Sequence, residues 1–290
     1  MAERILGVIG GSGLYELPGI RDVKPVSVTT PFGAPSDELM RGKLGDVEVV
    51  FLPRHGKGHR ILPSEIPFRA NVFALKALGV EWLLSIGAVG SLRQQLEPGH
   101  VVVPDQFIDR TVARPSTFFG GGIVVHVSLA DPVCAHLADV VERATRDAGG
   151  TVHRGGTYIC MEGPQFSTRA ESHLYRQWNA DIIGMTNWQE AKLAREAELC
   201  FASLALVTDY DCWNPAHDHV VIEDVLRTLN ANADLARRAV AGVAAGLPAA
   251  RTCGCATALQ NAIITDPARI PAERKRELAP LIGKYIGEKP

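Results

Sequence analysis

Apolar and polar positions follow two rhythms along this chain. Short unbroken apolar runs, of the kind that form strands covered on both faces, predict strands over 5–9, 47–52, 82–86, 100–103, 157–161, 181–185 and 201–207. Between them, apolar residues recur at helical spacing over 67–78, 132–148, 169–178, 189–197 and 222–245, with two further helices predicted over 256–264 and 271–286. Strand and helix in alternation indicate an α/β protein with helices on both faces of a mostly parallel or mixed sheet. No stretch rich in Pro, Gly or Ser divides the chain, so one domain over 1–250 is expected, with its boundary at Leu247-Pro248-Ala249-Ala250. Residues 251–290 then form a helical extension, packed on the same domain or on a neighbouring subunit.

Composition narrows the class. Of 290 residues, 46% are apolar and 21% charged, and the formal net charge is −2. Near-neutrality argues against nucleic acid or a membrane surface as partner. The short run Arg274-Lys275-Arg276, flanked by Glu273 and Glu277, reads as a solvated helix face. No apolar segment reaches the ~18 residues of a membrane span. Met1 leads almost directly into a strand without a signal-peptide pattern, so a cytoplasmic location is expected. Six cysteines in a chain this long do not make a disulfide scaffold. Cys134, Cys160, Cys200 and Cys212 stand isolated and read as small core residues. Cys253-Gly254-Cys255 reads as a strained, readily reduced disulfide, as half a metal site or as a free pair of thiols; no Cys or His pair follows it, and no metal is expected.

The candidate chemistry collects at strand ends, where open α/β sheets place their ligands. Asp209 and Asp211 close the apolar run 200–207, one residue apart. Two carboxylates so placed are costly unless one binds a partner or holds a proton, and a nitrogen heterocycle offering N–H donors satisfies both. Gly10-Gly11-Ser12-Gly13 ends the first strand with a hydroxyl and exposable amides, but lacks the spacing of a dinucleotide fingerprint or a P-loop. Arg54-His55-Gly56 follows the second with a planar cationic fork and a second donor suited to an oxyanion. Gly87-Ala88-Val89-Gly90 ends the third with small residues that expose backbone amides. Glu162-Gly163-Pro164 makes a sharp turn before Phe166, a flat face for a base, and Ser167 or Thr168 caps the next helix with Glu171. Met185 and Thr186 end another strand ahead of a helix containing Glu190. No hydrolase triad or metal motif appears. Anion donors, an aromatic and an acidic pair fit a site that holds phosphate beside a nucleoside.

Several of these segments closely resemble the methylthioadenosine phosphorylases, in the trimeric branch of the purine nucleoside phosphorylase family. They are 10–14, 30–37, 53–56, 105–111 and 162–167, and the likeness runs from the first strand to about residue 245. The resemblance implies a three-layer α/β/α fold with a mixed, partly barrel-like central sheet. It also implies a homotrimer, which could associate into a dimer of trimers, with sites near subunit interfaces. Ser12, Arg54, His55, Gly87 (through its amide), Ala88 and Thr186 are implied to surround phosphate. Gly87 stands where the family usually has threonine, so a hydroxyl contact is lost. Phe166 would stack near the purine and Met185 pack under the ribose, while Asp209 and Asp211 address N7 and the 6-amino group. Ser167 and Asp209 replace the glutamate and asparagine of 6-oxopurine enzymes, which favours adenine. Ile222 and Val225 match the apolar wall around the 5′ substituent, and His126 a residue that reaches a neighbour's 5′ pocket. The implied reaction is phosphorolysis of methylthioadenosine, with inorganic phosphate as co-substrate and no metal or organic cofactor. The alternatives are a phosphorylase for methylthioinosine, adenosine or 6-oxopurine nucleosides, a hydrolytic nucleosidase, or a nucleoside binder without turnover.

Overall fold

The computed structural model of the chain describes residues 4–11, 17, 19–215 and 222–287; Ser12 lies outside them. The strands are β1 (Arg4–Gly10), β2 (Arg21–Val26), β3 (Leu39–Leu44), β4 (Val47–Pro53), β5 (Trp82–Ser91), β6 (Val101–Val103), β7 (Gln106–Arg110), β8 (Val152–Arg154), β9 (Thr157–Met161), β10 (Ile182–Gly184) and β11 (Cys200–Asp209). The helices are α1 (Phe68–Ala77), α2 (Ala135–Asp147), α3 (Arg169–Gln177), α4 (Asn187–Glu196), α5 (Ile222–Ala231), α6 (Ala233–Gly246), α7 (Ala272–Glu277) and α8 (Ala279–Ile286). All the strands join one mixed sheet in the order β2-β3-β4-β1-β5-β10-β9-β7, with β11, β6 and β8 branching from β5. Helices cover both sides, as the alternating pattern predicts, and the strand path stays open rather than closing into a ring.

The runs predicted as doubly covered strands are the core. β4 and the first nine residues of β11 are buried throughout, and Leu6, Leu83 and Phe201 are among the largest side chains wholly withdrawn from water. Each such side chain contributes about 1.5–3 kcal/mol by burial. β2, β3, β7 and β8 were not predicted. β2 shows why: it is an edge strand, exposed over most of its length, carrying Arg21, Asp22, Lys24 and Pro25, so it lacks the apolar signature.

Three helix predictions need correction. The stretch 222–245 is two helices, α5 and α6, broken at Asn232. The stretch 256–264 is only a short 3-10 turn, Gly254–Thr257, followed by irregular chain. The stretch 271–286 is interrupted between α7 and α8, where Pro280 sits in the first turn of α8. The extension beyond residue 250 packs on its own chain: Leu259, Ile270, Leu278, Leu281 and Ile282 belong to the main core, and Ile263 bridges to Val125.

One feature of the sheet positions the site. Along one edge, β5 pairs with β1 only as far as Ser85 and with β10 only from Gly90 onward. Between these points residues 86–89 keep β11 on their other side. The sheet therefore splays open at the carboxyl end of β1, which is where ligands enter folds of this class.

Candidate active site

Arg54 follows β4 and turns into the splayed gap. Its N–H donates to Gly10 O at 3.2 Å, which locks the ends of β4 and β1 together. The guanidinium is buried and largely committed. Nε donates to Glu190 Oε1 at 2.7 Å and Nη2 to Glu190 Oε2 at 3.1 Å, a two-point ion pair across the sheet to α4. Nη2 also donates to Ser85 Oγ at 2.8 Å, and Nη1 to Ile86 O at 2.7 Å. Ser85 in turn donates to Glu190 Oε2 at 2.5 Å and accepts from Asn187 Nδ2 at 2.7 Å. The fork read from the sequence as an anion clamp is thus spent mainly on Glu190. One Nη1 N–H remains without an acceptor among the described residues, and a Cβ at Gly87 would lie 3.5 Å from that nitrogen. Removing one partner from so buried a pair costs about 3–5 kcal/mol, which makes Glu190 the residue that holds Arg54 in place.

Backbone parity supplies the second donor. Alternate residues of a strand turn their N–H and C=O to opposite edges. Ile86 O faces the gap, where it meets Arg54, and Val89 O faces β11, where it accepts from Thr208 Oγ1. Ala88 therefore directs its N–H into the gap. His55 lies half-buried next to Arg54. Its Nδ1 is 2.8 Å from Ile61 O, a carbonyl that can only accept, so Nδ1 carries the proton. Burial pulls the ring's pKa down to about 4, against the Ile61 hydrogen bond that favours the charged form and with help from the Arg54 charge. The ring is neutral at physiological pH and keeps a lone pair at Nε2. Its face stacks on His59 at 4.2 Å. Thr186 is the N-cap of α4 but makes no side-chain cap bond, which leaves its hydroxyl for another use beside the helix N-terminus.

The acidic pair lies at the other end of the splayed segment. Asp209 Oδ1 would be 3.0 Å from a Cβ placed on Gly90, so the carboxylate rests directly over that glycine. Gly87 and Gly90 are three strand residues apart, about 10 Å. Thr208 Oγ1 donates to Asp209 Oδ2 at 2.8 Å and fixes its orientation. Burial raises the Asp209 pKa to about 6; the Thr208 hydroxyl opposes the rise and the Asp211 charge adds to it. Asp211 is buried and its pKa is also raised by burial, partly offset by the Ser172 and Ser167 hydroxyls and the Cys212 N–H. Its Oδ2 has no hydrogen-bond partner, a buried acceptor waiting for a donor.

The remaining predicted residues stand in differing surroundings. Gly163 has φ +67, and a Cβ there would sit 2.5 Å from Met185 Sδ, so the 162–164 turn packs tightly on Met185 and only glycine fits. Cys212 Sγ donates to Ser167 O at 3.2 Å, tying the Phe166-Ser167 segment to the acidic pair. Phe166 is 44% exposed, an aromatic face left to solvent. On α5, Val225 is buried while Ile222 is 50% exposed. His126 is exposed, and its N–H donates to Ala262 O at 2.9 Å in the segment paired with the extension.

Arg114 was not anticipated. Its side chain is fully buried and bonds Glu162 Oε1, Gln189 Oε1 and the carbonyls of Glu162 and Met185, so it knits the β9 and β10 ends together. It lies in a loop, Val112-Ala113-Arg114-Pro115, with no pattern to mark it. Ser85 and Glu190 did leave a trace: a lone hydroxyl inside an apolar strand, and a carboxylate one turn into a helix after a strand end.

Fold and site together define an α/β protein with uncommitted N–H donors at one end of a splayed strand and a buried acidic pair at the other. The chain belongs to the phosphorylase superfamily, which it matches over residues 5–245. It is 55% identical to the S-methyl-5′-thioadenosine phosphorylase of Geobacter sulfurreducens, over 98% of this chain and 100% of that one. It also resembles the crystal structure of a methylthioadenosine phosphorylase from an antarctic soil metagenomic library, at 48% identity and a TM-score of 0.88, covering 97% of this chain and 99% of that one. The S12T mutant of the adenosine/methylthioadenosine phosphorylase from Schistosoma mansoni, in complex with methylthioadenosine, matches at 38% identity and a TM-score of 0.80, covering 89% and 96%.

Proposed function

We propose that this chain is a pentosyltransferase that cleaves methylthioadenosine with inorganic phosphate, giving adenine and 5-methylthioribose 1-phosphate. The observation that carries the reading is that Ala88 N–H and the spare Arg54 N–H beside Gly87 share one splayed strand, about 10 Å along it, with the raised carboxyl of Asp209 over Gly90. Relatives at 51–56% identity over nearly the full chain carry the phosphorylase name, which supports the same chemistry here.

In this account Ala88 N–H, the spare Nη1 N–H of Arg54 and the Thr186 hydroxyl surround phosphate, and His55 Nε2 accepts the O–H of hydrogen phosphate rather than donating. Gly87, whose N–H turns to β11 as that of Val89 does, gives space rather than a donor, and Ser12, the remaining residue expected here, lies outside the described residues. Adenine packs near Phe166 and Ser167, and the ribose lies over Met185. Asp209, protonated, gives its proton to N7 as the C1′–N9 bond breaks, so adenine leaves neutral; general acid help of this kind is worth about 10²–10⁴-fold. The phosphate oxygen captures C1′, and the proton that hydrogen phosphate loses restores the one Asp209 gave. Asp211 Oδ2 accepts from the 6-amino group, the donor its buried position lacks. Fixed donors already aimed at the phosphate avoid reorganisation as charge develops at the sugar. Ile222 and Val225 favour a methylthio group over a 5′-hydroxyl, a difference of about 1–3 kcal/mol. No metal or organic cofactor enters these steps.

His126 belongs to a neighbour's 5′ pocket in a homotrimer. Two exposed apolar side chains in the same paired segment, Val124 at 49% and Ile264 at 64%, support a subunit contact there; a solution mass of a single chain contradicts it. Cytoplasmic purine and methionine salvage is the setting this chemistry fits, and no described helix is long and apolar enough to cross a membrane.

The test is adenine release from methylthioadenosine with and without phosphate. Equal amounts of adenine and the sugar phosphate, formed only when phosphate is present, are expected. Adenine formed without phosphate makes the protein a nucleosidase, and none under either condition makes it a binder. Inosine or methylthioinosine turned over in preference would reverse the adenine assignment.

A further inference from the structure

Four cysteines that the sequence scatters come together outside the site. Cys134 is the N-cap of α2, Cys200 the first residue of β11, and Cys253 and Cys255 open the extension at its short 3-10 turn. Cys134 and Cys200 are therefore not isolated, as the sequence suggests; only Cys160 and Cys212 stand apart from the cluster. The partner pair sought for Cys253-Gly254-Cys255 precedes it in the chain instead of following it.

The four sulfurs all lie within 4.8 Å of one another, and three of the four residues are buried. Cys253 Sγ is 3.3 Å from Cys200 Sγ and 3.7 Å from Cys134 Sγ. A disulfide joins two sulfurs at about 2.05 Å and gives a third and fourth no reason to crowd the same point. A tetrahedral zinc ion with Zn–S bonds of about 2.3 Å spaces its sulfurs about 3.8 Å apart. The spacings of 3.3 and 3.7 Å lie just under that distance, and no pair of the four is more than 4.8 Å apart. Cys134 stands at the head of a thirteen-residue helix, whose N-terminal end favours anionic sulfur. Arg251 and His136 line the hollow beside Cys134, Cys200 and Cys253.

We propose that Cys134, Cys200, Cys253 and Cys255 bind one zinc ion as a closed tetrathiolate site. Ligation releases the thiol protons to solvent and changes no oxidation state. Four protein ligands leave no open position, so the ion is structural. Its place explains what it does. It fastens the start of the extension to α2 and β11, and so fixes the segment whose Ile263 pairs with Val125 and whose Ala262 holds the His126 backbone.

The experiment is elemental analysis and intact mass of the full-length chain purified under reducing conditions. A zinc-to-chain ratio near one, lost in the Cys253→Ser/Cys255→Ser double variant, is the expected result. Cobalt exchanged into the unaltered chain gives a second readout that needs no variant to fold. The intense sulfur-to-cobalt absorption of a tetrahedral tetrathiolate supports the site, and its absence overturns it. Zinc far below one per chain overturns the proposal, as does iron in its place or a mass short by two hydrogens for each bridge. Full zinc retention by the double variant overturns it too.

Discussion

Asp209→Asn separates the cost of the acidic pair from its use. The substitution keeps the shape of the side chain and an acceptor for the Thr208 hydroxyl, which reaches Asp209 Oδ2 at 2.8 Å. It removes the ionisable proton. In the folded protein burial raises the Asp209 pKa from 3.8 to about 6. A folded value above the unfolded one means that the folded state holds the proton more tightly. The group therefore costs nothing below about pH 4 and destabilises progressively as pH rises through 6. At 1.36 kcal/mol per pH unit, the full penalty above pH 7 is at most about 3 kcal/mol. The Asn variant escapes it. Urea denaturation at pH 7.5 should show the variant more stable than the parent by up to about 3 kcal/mol, with the gap closing toward pH 4. Adenine release by the same variant should fall by about 10²–10⁴-fold. Greater stability with lost turnover is the signature of a functional group kept at a cost. A variant that is less stable at pH 7.5, or that retains most of its turnover, refutes the assignment.

Gly87→Thr should restore a hydroxyl beside the spare N–H of Arg54; a Cβ there meets Nη1 at 3.5 Å, ordinary contact, so the residue fits. A net hydrogen bond of about 1.4 kcal/mol lowers the phosphate KM about tenfold with little change in the nucleoside KM; an unchanged phosphate KM removes Gly87 from the anion site. NMR titration of His55 in phosphate-free protein should show a neutral ring until the pH falls to about 4, because burial disfavours its charge. Dianionic phosphate should move that titration upward, and an ordinary midpoint near 6.5 without phosphate contradicts the buried geometry.

The α/β class and the strand ends that carry chemistry were legible because covered strands must be apolar and their ends must not be. The apolar run 200–207 announced β11, and its terminal carboxylates lie where the pattern placed them. Other parts were hidden for physical reasons. β2 is charged and contains proline because it is an edge, so it resembles a loop. The commitment of Arg54 to Glu190 joins residues 136 apart, and no local pattern encodes a pair that distant. Arg114 braces two strand ends from an irregular loop and had no signal at all. The splay of β5 arises from pairing with β1 and β10 in succession, which is a property of the sheet rather than of any segment. The cysteines show the same limit, since each looks solitary until the chain brings α2, β11 and the extension to one point.

The central claim is that phosphate and nucleoside meet along the splayed part of β5. A crystal structure of the protein with methylthioadenosine and sulfate tests it most directly. Sulfate should lie against Ala88 N–H and the free edge of Arg54, with adenine N7 about 2.7–3.2 Å from an Asp209 oxygen. Sulfate bound away from that segment, or a base whose N7 points away from Asp209, contradicts the account.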